Sequence, residues 1–326
     1  MAITKIKVEN LTVFEEMEMD IDANVNVIIG ENGTGKTQLL KYMHELLIFT
    51  KKQEIASGIT IHVTPDFFLP DKDQKRDKDK SIKIELSLDN SNEILYIVEE
   101  SAKIVAIPHE NVILIPTKDM LTHSKGLLAM KEKYGKNMPF DKFQIGIVSK
   151  ANQWNLAEIP DFAKGMIEEL EDIMDGVVVI ENEEFFILKT NGQMIPFEME
   201  AEGIKKFGLI WQLLMNDNIR EGTILLWDEP EANINPKLIP TLAKIILELG
   251  RNDVQIFLAT HDYFLSKYIE VLSNDEDKLA FHALYKTNNG VKCETDTKFS
   301  FLDENAIIDE KIKLYEAEID KVMDNE

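Results

Sequence analysis

The chain has 326 residues, 44% of them hydrophobic and 29% charged, with a formal net charge of -23. That length can bury a full core in one or two domains, and the acidic balance excludes a broadly basic nucleic-acid coat while leaving room for a local basic patch or a protein partner. The single cysteine, Cys293, excludes an internal disulfide and a cysteine-based metal cluster. No apolar run approaches the ~20 residues of a membrane span, and the N-terminus reads as a strand rather than a signal peptide. A cytoplasmic protein without membrane contact is therefore expected.

Residues 3–8 predict a first strand, with Ile6 and Val8 on one face, Ile3 on the other and a break at Glu9 and Asn10. Short strands follow at 11–14 and 17–21. Phe14 reads as a core aromatic or as a ring that packs on adenine. Residues 25–29, Val-Asn-Val-Ile-Ile, predict a buried strand, and residues 38–47 an amphipathic helix. Between them stands Gly30-Glu31-Asn32-Gly33-Thr34-Gly35-Lys36-Thr37, which fits the phosphate-binding pattern G-x-x-x-x-G-K-[ST]. Glycines there let backbone N–H groups turn inward around phosphate, and the helix start adds its positive end. Lys36 would reach the β- and γ-phosphates of ATP, and the Thr37 hydroxyl would bind Mg²⁺.

Beyond that helix the pattern turns to short strands at 59–63, 82–88 and 94–98. The run at 71–80 has mixed charge and no apolar residue, so it reads as an exposed, mobile loop. Residues 112–115 predict a buried strand, and Lys118 and Asp119 follow its end, where α/β sheets commonly bind ligands. Residues 120–175 read as mostly helical; a strand meander follows at 177–197, with a hairpin signal at Asn191-Gly192. A long amphipathic helix is headed by Glu200-Ala201-Glu202-Gly203.

Residues 223–227 predict an apolar strand that ends in Asp228 and Glu229. Asp228 is placed to hold Mg²⁺ and Glu229 to take a proton from an attacking water. Residues 255–259 form a third strand, which ends in Thr260-His261-Asp262, and His261 could contact the γ-phosphate. A further strand at 279–285 precedes a turn at 288–290. The last helix, about 303–323, carries an apolar stripe of Ile307, Ile308, Ile312, Leu314, Tyr315, Ile319 and Val322, expected to pack on the body in preference to a partner.

In this order the motifs resemble the ATP-binding-cassette class of ATPases. Within it the chain is similar to the soluble branch that holds the overcoming-lysogenisation-defect ATPases of bacterial anti-phage systems, with RecF and the SMC proteins more distant. The resemblance covers about residues 1–50 and 195–300. It implies an α/β P-loop NTPase of ABC type: a mixed central sheet with helices, an antiparallel β subdomain and a helical lobe. It implies a single ATPase domain with its core at about 1–50 and 204–300, an inserted lobe at 51–203 and a C-terminal helix. Gly30 to Thr37, with Gln38, match the nucleotide-binding Walker A motif. Asp228 matches the Walker B aspartate, Glu229 the catalytic glutamate, residues 231–236 the D-loop and His261 the switch histidine. Lys36, Glu229 and His261 would be catalytic, and Thr37 and Asp228 would hold the metal. Glu200 to Lys206, with Ala201, Glu202 and Gly203 at its head, would form the signature segment, whose helix N-terminus meets the γ-phosphate of the opposite subunit in a head-to-tail dimer. The family usually has serine where Ala201 stands, so one phosphate ligand is lost and slow hydrolysis is implied, although Gly203 and the helix dipole remain. No heptad run between Thr37 and Asp228 would make an SMC-type arm, and no nuclease motif follows His261. The resemblance thus implies an ATPase that controls a separate effector such as a nuclease or toxin, or alternatively a RecF-like clamp on DNA.

Overall fold

The computed structural model describes residues 2–49, 75–89, 93–98 and 111–323. The strand expected at 59–63 and the first part of the charged run lie outside the described residues. The central sheet has six strands. They are β3 (Val25–Gly30), β6 (Val112–Ile115), β10 (Ile224–Asp228), β11 (Gln255–Ala259), β12 (Leu279–Thr287) and β13 (Gly290–Asp296). Their order is β13-β12-β3-β11-β10-β6. All neighbours are parallel except β12 and β13, an antiparallel hairpin at one edge. The sheet is mixed, as expected. Strands β3, β10 and β11 are buried on both faces, which is why they read as nearly continuous apolar runs.

The two faces of this sheet feed two cores. On one face Ile28, Leu226 and Phe257 pack with α1 (Lys36–Phe49) and with an antiparallel sheet. That sheet has the order β2-β1-β4-β5, from β1 (Ile3–Leu11), β2 (Phe14–Asp20), β4 (Ile82–Leu88) and β5 (Glu93–Val98). On the other face Val27, Ile29, Leu225 and Trp227 pack with α5 (Glu202–Met215), α6 (Ile239–Arg251) and α7 (Tyr263–Leu272). A separate meander of β7 (Gly176–Glu181), β8 (Glu184–Lys189) and β9 (Met194–Pro196) adjoins the helical region of α2 (Leu127–Tyr134), α3 (Lys142–Ala151) and α4 (Lys164–Met174).

Three sequence expectations change here. First, Ile3 does not face away from Ile6 and Val8. The pairing of β1 with β4 shifts register between Ile3 and Lys5, and that irregularity returns Ile3 to the buried face with them. The strand also does not break at Glu9 and Asn10: it runs to Leu11, which pairs with Phe14 across the turn. Asn10 takes a left-handed backbone (φ 53°) and holds the 77–80 turn, donating to the carbonyls of Asp77 and Lys80 and accepting from the Asp77 amide. The described end of the charged run is therefore exposed but tied down. Second, the expected inserted lobe does not follow the sheets, because β4 and β5 extend the N-terminal sheet and β6 is the far edge of the central one.

Third, α8 (Ala306–Met323) leaves the body. Ile307 and Ile308 pack against the core, but Ile312, Leu314, Tyr315, Ile319 and Val322 are all at least half exposed. The stripe is real in the sequence, and only its first turn packs into the chain's own core.

Candidate active site

The P-loop turns between β3 and α1 with its lysine folded back on it. Lys36 Nζ donates to the carbonyls of Gly30 (2.6 Å) and Glu31 (3.1 Å). Burial holds this ammonium below the usual lysine value, opposed by the nearby carboxylates of Glu229, Asp228 and Glu231. Gly35 is in a left-handed conformation (φ 92°), and a Cβ there would lie 2.7 Å from the Phe14 ring. Phe14 is fully buried beneath the loop, so it is a core aromatic and not a free adenine platform. Glu31 points outward and pairs with Lys286 at 2.9 Å. Gln38 accepts from the Thr12 hydroxyl (3.1 Å). A cavity of about 340 Å³ opens over the loop, lined by Asn32, Gly33, Gly35, Lys36, Thr37, Gln38, Glu229 and Val13.

The end of β10 meets the start of α1. The Thr37 hydroxyl lies 2.9 and 3.1 Å from the two carboxylate oxygens of Asp228. Thr117, just past β6, donates to the same carboxylate at 2.8 Å. A carboxylate and a hydroxyl turned toward each other form a hard-oxygen donor set that suits Mg²⁺. Glu229 follows in the left-handed region (φ 49°), an unusual place for a side-chain-bearing residue. Its carboxylate lies 3.3 Å from His261 Nδ1, which comes from the end of β11. The structure thus brings Lys36, Thr37, Asp228, Glu229 and His261 together from three parallel strand ends.

Two candidates resolve differently. Asp119 turns away to cap a short helical turn, accepting from the Leu121 and Thr122 amides. Lys118 stays exposed at the mouth of a second cavity, which Thr37, Thr117 and Asp228 also line. The segment Ala201-Glu202-Gly203 is not among the residues that line its own chain's P-loop cavity. It begins α5, where Ala201 occupies the N-cap position without any side-chain cap. Gly203 lies against the D-loop, since a Cβ there would come within 3.1 Å of the Asn233 carbonyl and of Ile234 Cα.

Sequence reading missed Thr117 and Thr260, and placed Lys206 only at the end of the signature segment. Thr260 donates to the buried Glu231 carboxylate at 2.6 Å, while burial pushes that carboxyl above its usual range. Lys206, one turn into α5, donates to the carbonyls of Glu229 (2.8 Å) and Pro230 (3.2 Å). Burial lowers its ammonium to about 8. A lysine on the apolar side of an amphipathic helix was the available signal.

Residues 44–267 match a family model described as "AAA domain, putative AbiEii toxin, Type IV TA system". The chain belongs to this AAA family. It is an AAA-domain ATPase. The family match starts after Thr37, so the P-loop of this AAA chain stands on its own sequence and geometry. The DNA replication and repair protein RecF of Bacillus thuringiensis (strain Al Hakam) is 28% identical over 121 residues, which is 37% of this chain and 32% of the relative. RecF of Bacillus anthracis (strain A0248) gives the same figures. The AAA chain thus matches about a third of the length of these curated relatives. Among solved structures, an SMC head bound to the C-winged helix domain of ScpA shares the fold at a TM-score of 0.52 and 13% identity, covering 91% of this chain and 98% of that one. Among the described residues, no helix is long and apolar enough to cross a membrane.

Proposed function

We propose that this ATPase closes head-to-tail on ATP and uses that closure to control a separate effector protein, in the manner of bacterial anti-phage systems. The observation that carries the dimer is the P-loop cavity, which has Lys36, Thr37 and Glu229 on its walls but none of Ala201 to Gly203. An uncapped helix start is a site for an anion, and a second protomer is the natural source of one. In this reading Lys36 leaves its loop carbonyls for the β- and γ-phosphates. Thr37 and Asp228 hold a magnesium ion, with Thr117 fixing the carboxylate. When bound, the ion would neutralise charge on the phosphates. Glu229 orients and deprotonates the attacking water, and His261 reads the γ-phosphate beside it.

The Glu229→Gln variant tests this. It is expected to bind Mg-ATP, to turn over about 10²–10⁴-fold more slowly, and, when the exposed face of α8 is also broken by Ile319→Glu, to double in mass by light scattering only with ATP. Unchanged turnover would remove Glu229 from the chemistry, and an unchanged mass would remove the dimer. An affinity pull-down of this variant from its host with Mg-ATP then addresses the effector. A stoichiometric protein, lost in Lys36→Ala, supports effector control.

The similarity to RecF favours a second reading, a clamp on DNA. The net charge of -23 weighs against it. Salt-dependent binding of duplex DNA by the ATP-bound variant would move the conclusion there.

A further inference from the structure

The exposed stripe on α8 is more ordered than a generic apolar face. Ile308, Ile312, Tyr315, Ile319 and Val322 are spaced four, three, four and three residues apart, the repeat of a coiled-coil seam. Ile308 is partly buried against the body. The next four are 50%, 53%, 58% and 63% exposed, so the seam begins on the protein and continues off it. With Ile312 and Ile319 at the a positions, Tyr315 and Val322 fall at d.

The flanking charges point the same way. Lys311 falls at g and Glu316 at the following e, and in a parallel, in-register pair each g residue meets the partner's next e residue. Two opposite-charge contacts therefore form by symmetry between copies of this one sequence. The seam also borders a groove of about 250 Å³, with Ile308, Ile312 and Tyr315 on one wall and Tyr263 and Phe299 on the other. Lys311 sits at its edge, 3.3 Å from the Tyr263 ring centroid. Because α8 is already helical and anchored at Ile307 and Ile308, pairing does not carry the cost of nucleating a free helix.

We infer that α8 is a homotypic docking helix, which pairs in parallel with α8 of a second copy of this chain, independently of nucleotide. The pairing does not rest on the ATP-driven closure proposed above, and it would tether two protomers before ATP arrives.

The test is disulfide cross-linking without nucleotide. In a Cys293→Ser background, Ile319→Cys should give a covalent dimer on mild oxidation, whether or not Lys36→Ala is also present. Ala317→Cys, on the opposite side of the helix, should give little. No dimer at 319, or equal dimer at 317, overturns the inference and leaves the face to a different protein. Charge reversal supplies a second readout by sedimentation of the nucleotide-free protein. Lys311→Glu should weaken self-association about threefold to tenfold, and Lys311→Glu with Glu316→Lys should restore it. Failure of restoration overturns the parallel register. The two dimer readings fail separately: the ATP-driven one fails if Ile319→Glu protein gains no mass with ATP, the α8 one if the 319 cross-link is absent.

Discussion

Helices α1 and α8 carry similar patterns and meet different fates. Both are amphipathic, and both would be drawn as helices packed on the body. In α1, Leu39, Leu40, Met43, Leu46 and Leu47 are all fully buried between the central sheet and the antiparallel one. In α8 only the first turn packs into the core; Lys311 still reaches Tyr263, and the rest of the stripe is at least half exposed. Apolar periodicity says that a face must be covered; it does not say by what.

The sharpest way to break this contrast is truncation on each side of it. Leu39→Ala should cost about 2–5 kcal/mol by denaturant unfolding, because the methyl groups leave a cavity in a close-packed core. Polar groups inside the same core make the second test. His282 on β12 is fully buried, its Nε2 donating to Asn26 Oδ1 (3.1 Å) and its Nδ1 accepting from the Thr295 hydroxyl (2.9 Å). Burial pushes the imidazole down to about 4 from 6.5. As pH falls below 6.5 the unfolded chain binds the proton first, so stability present above that pH should be lost by about 3 kcal/mol on reaching pH 4. A His282→Gln variant should flatten that part of the curve.

Smaller effects probe the site between the two helices. Lys206→Met should lower kcat about tenfold and leave KM nearly unchanged, since the lysine holds the backbone of Glu229 rather than substrate. A rise in KM of the same size would place it in binding instead. Ala201→Ser should raise stability by about 1 kcal/mol in thermal unfolding, by supplying the cap that α5 lacks. Smallest of all, Ile319→Ala on α8 should move monomer stability by less than about 0.5 kcal/mol. A cost near that of Leu39→Ala would mean that α8 packs on its own body after all.

Much of the fold and site was legible because the chemistry is local in sequence. The P-loop pattern lies between an apolar strand and a helix, and Asp228 and Glu229 end another apolar strand. Parallel strands then carry these ends to the same carboxyl end of the sheet. What stayed hidden depends on long-range registration. Ile3 needed a register shift against β4 to join its neighbours, and β4 to β6 needed the sheet order to show that they are not one insert. Thr117 lies in an ordinary polar turn until pairing of β6 with β10 brings it to Asp228. Lys206 reads as one more helix cation until the backbone of Glu229 and Pro230 is seen to run beneath it.

The folded-back Lys36 bears on how the most familiar control for such proteins is interpreted. Its ammonium clasps the carbonyls of Gly30 and Glu31, so the loop is held in shape by the same group that would greet the phosphate. Replacing it with alanine therefore subtracts two things at once, a phosphate ligand and an internal brace. A failure of Lys36→Ala to bind ATP is in part a loss of preorganisation, and Asp228→Asn, which leaves that brace untouched, is the cleaner partner for comparison.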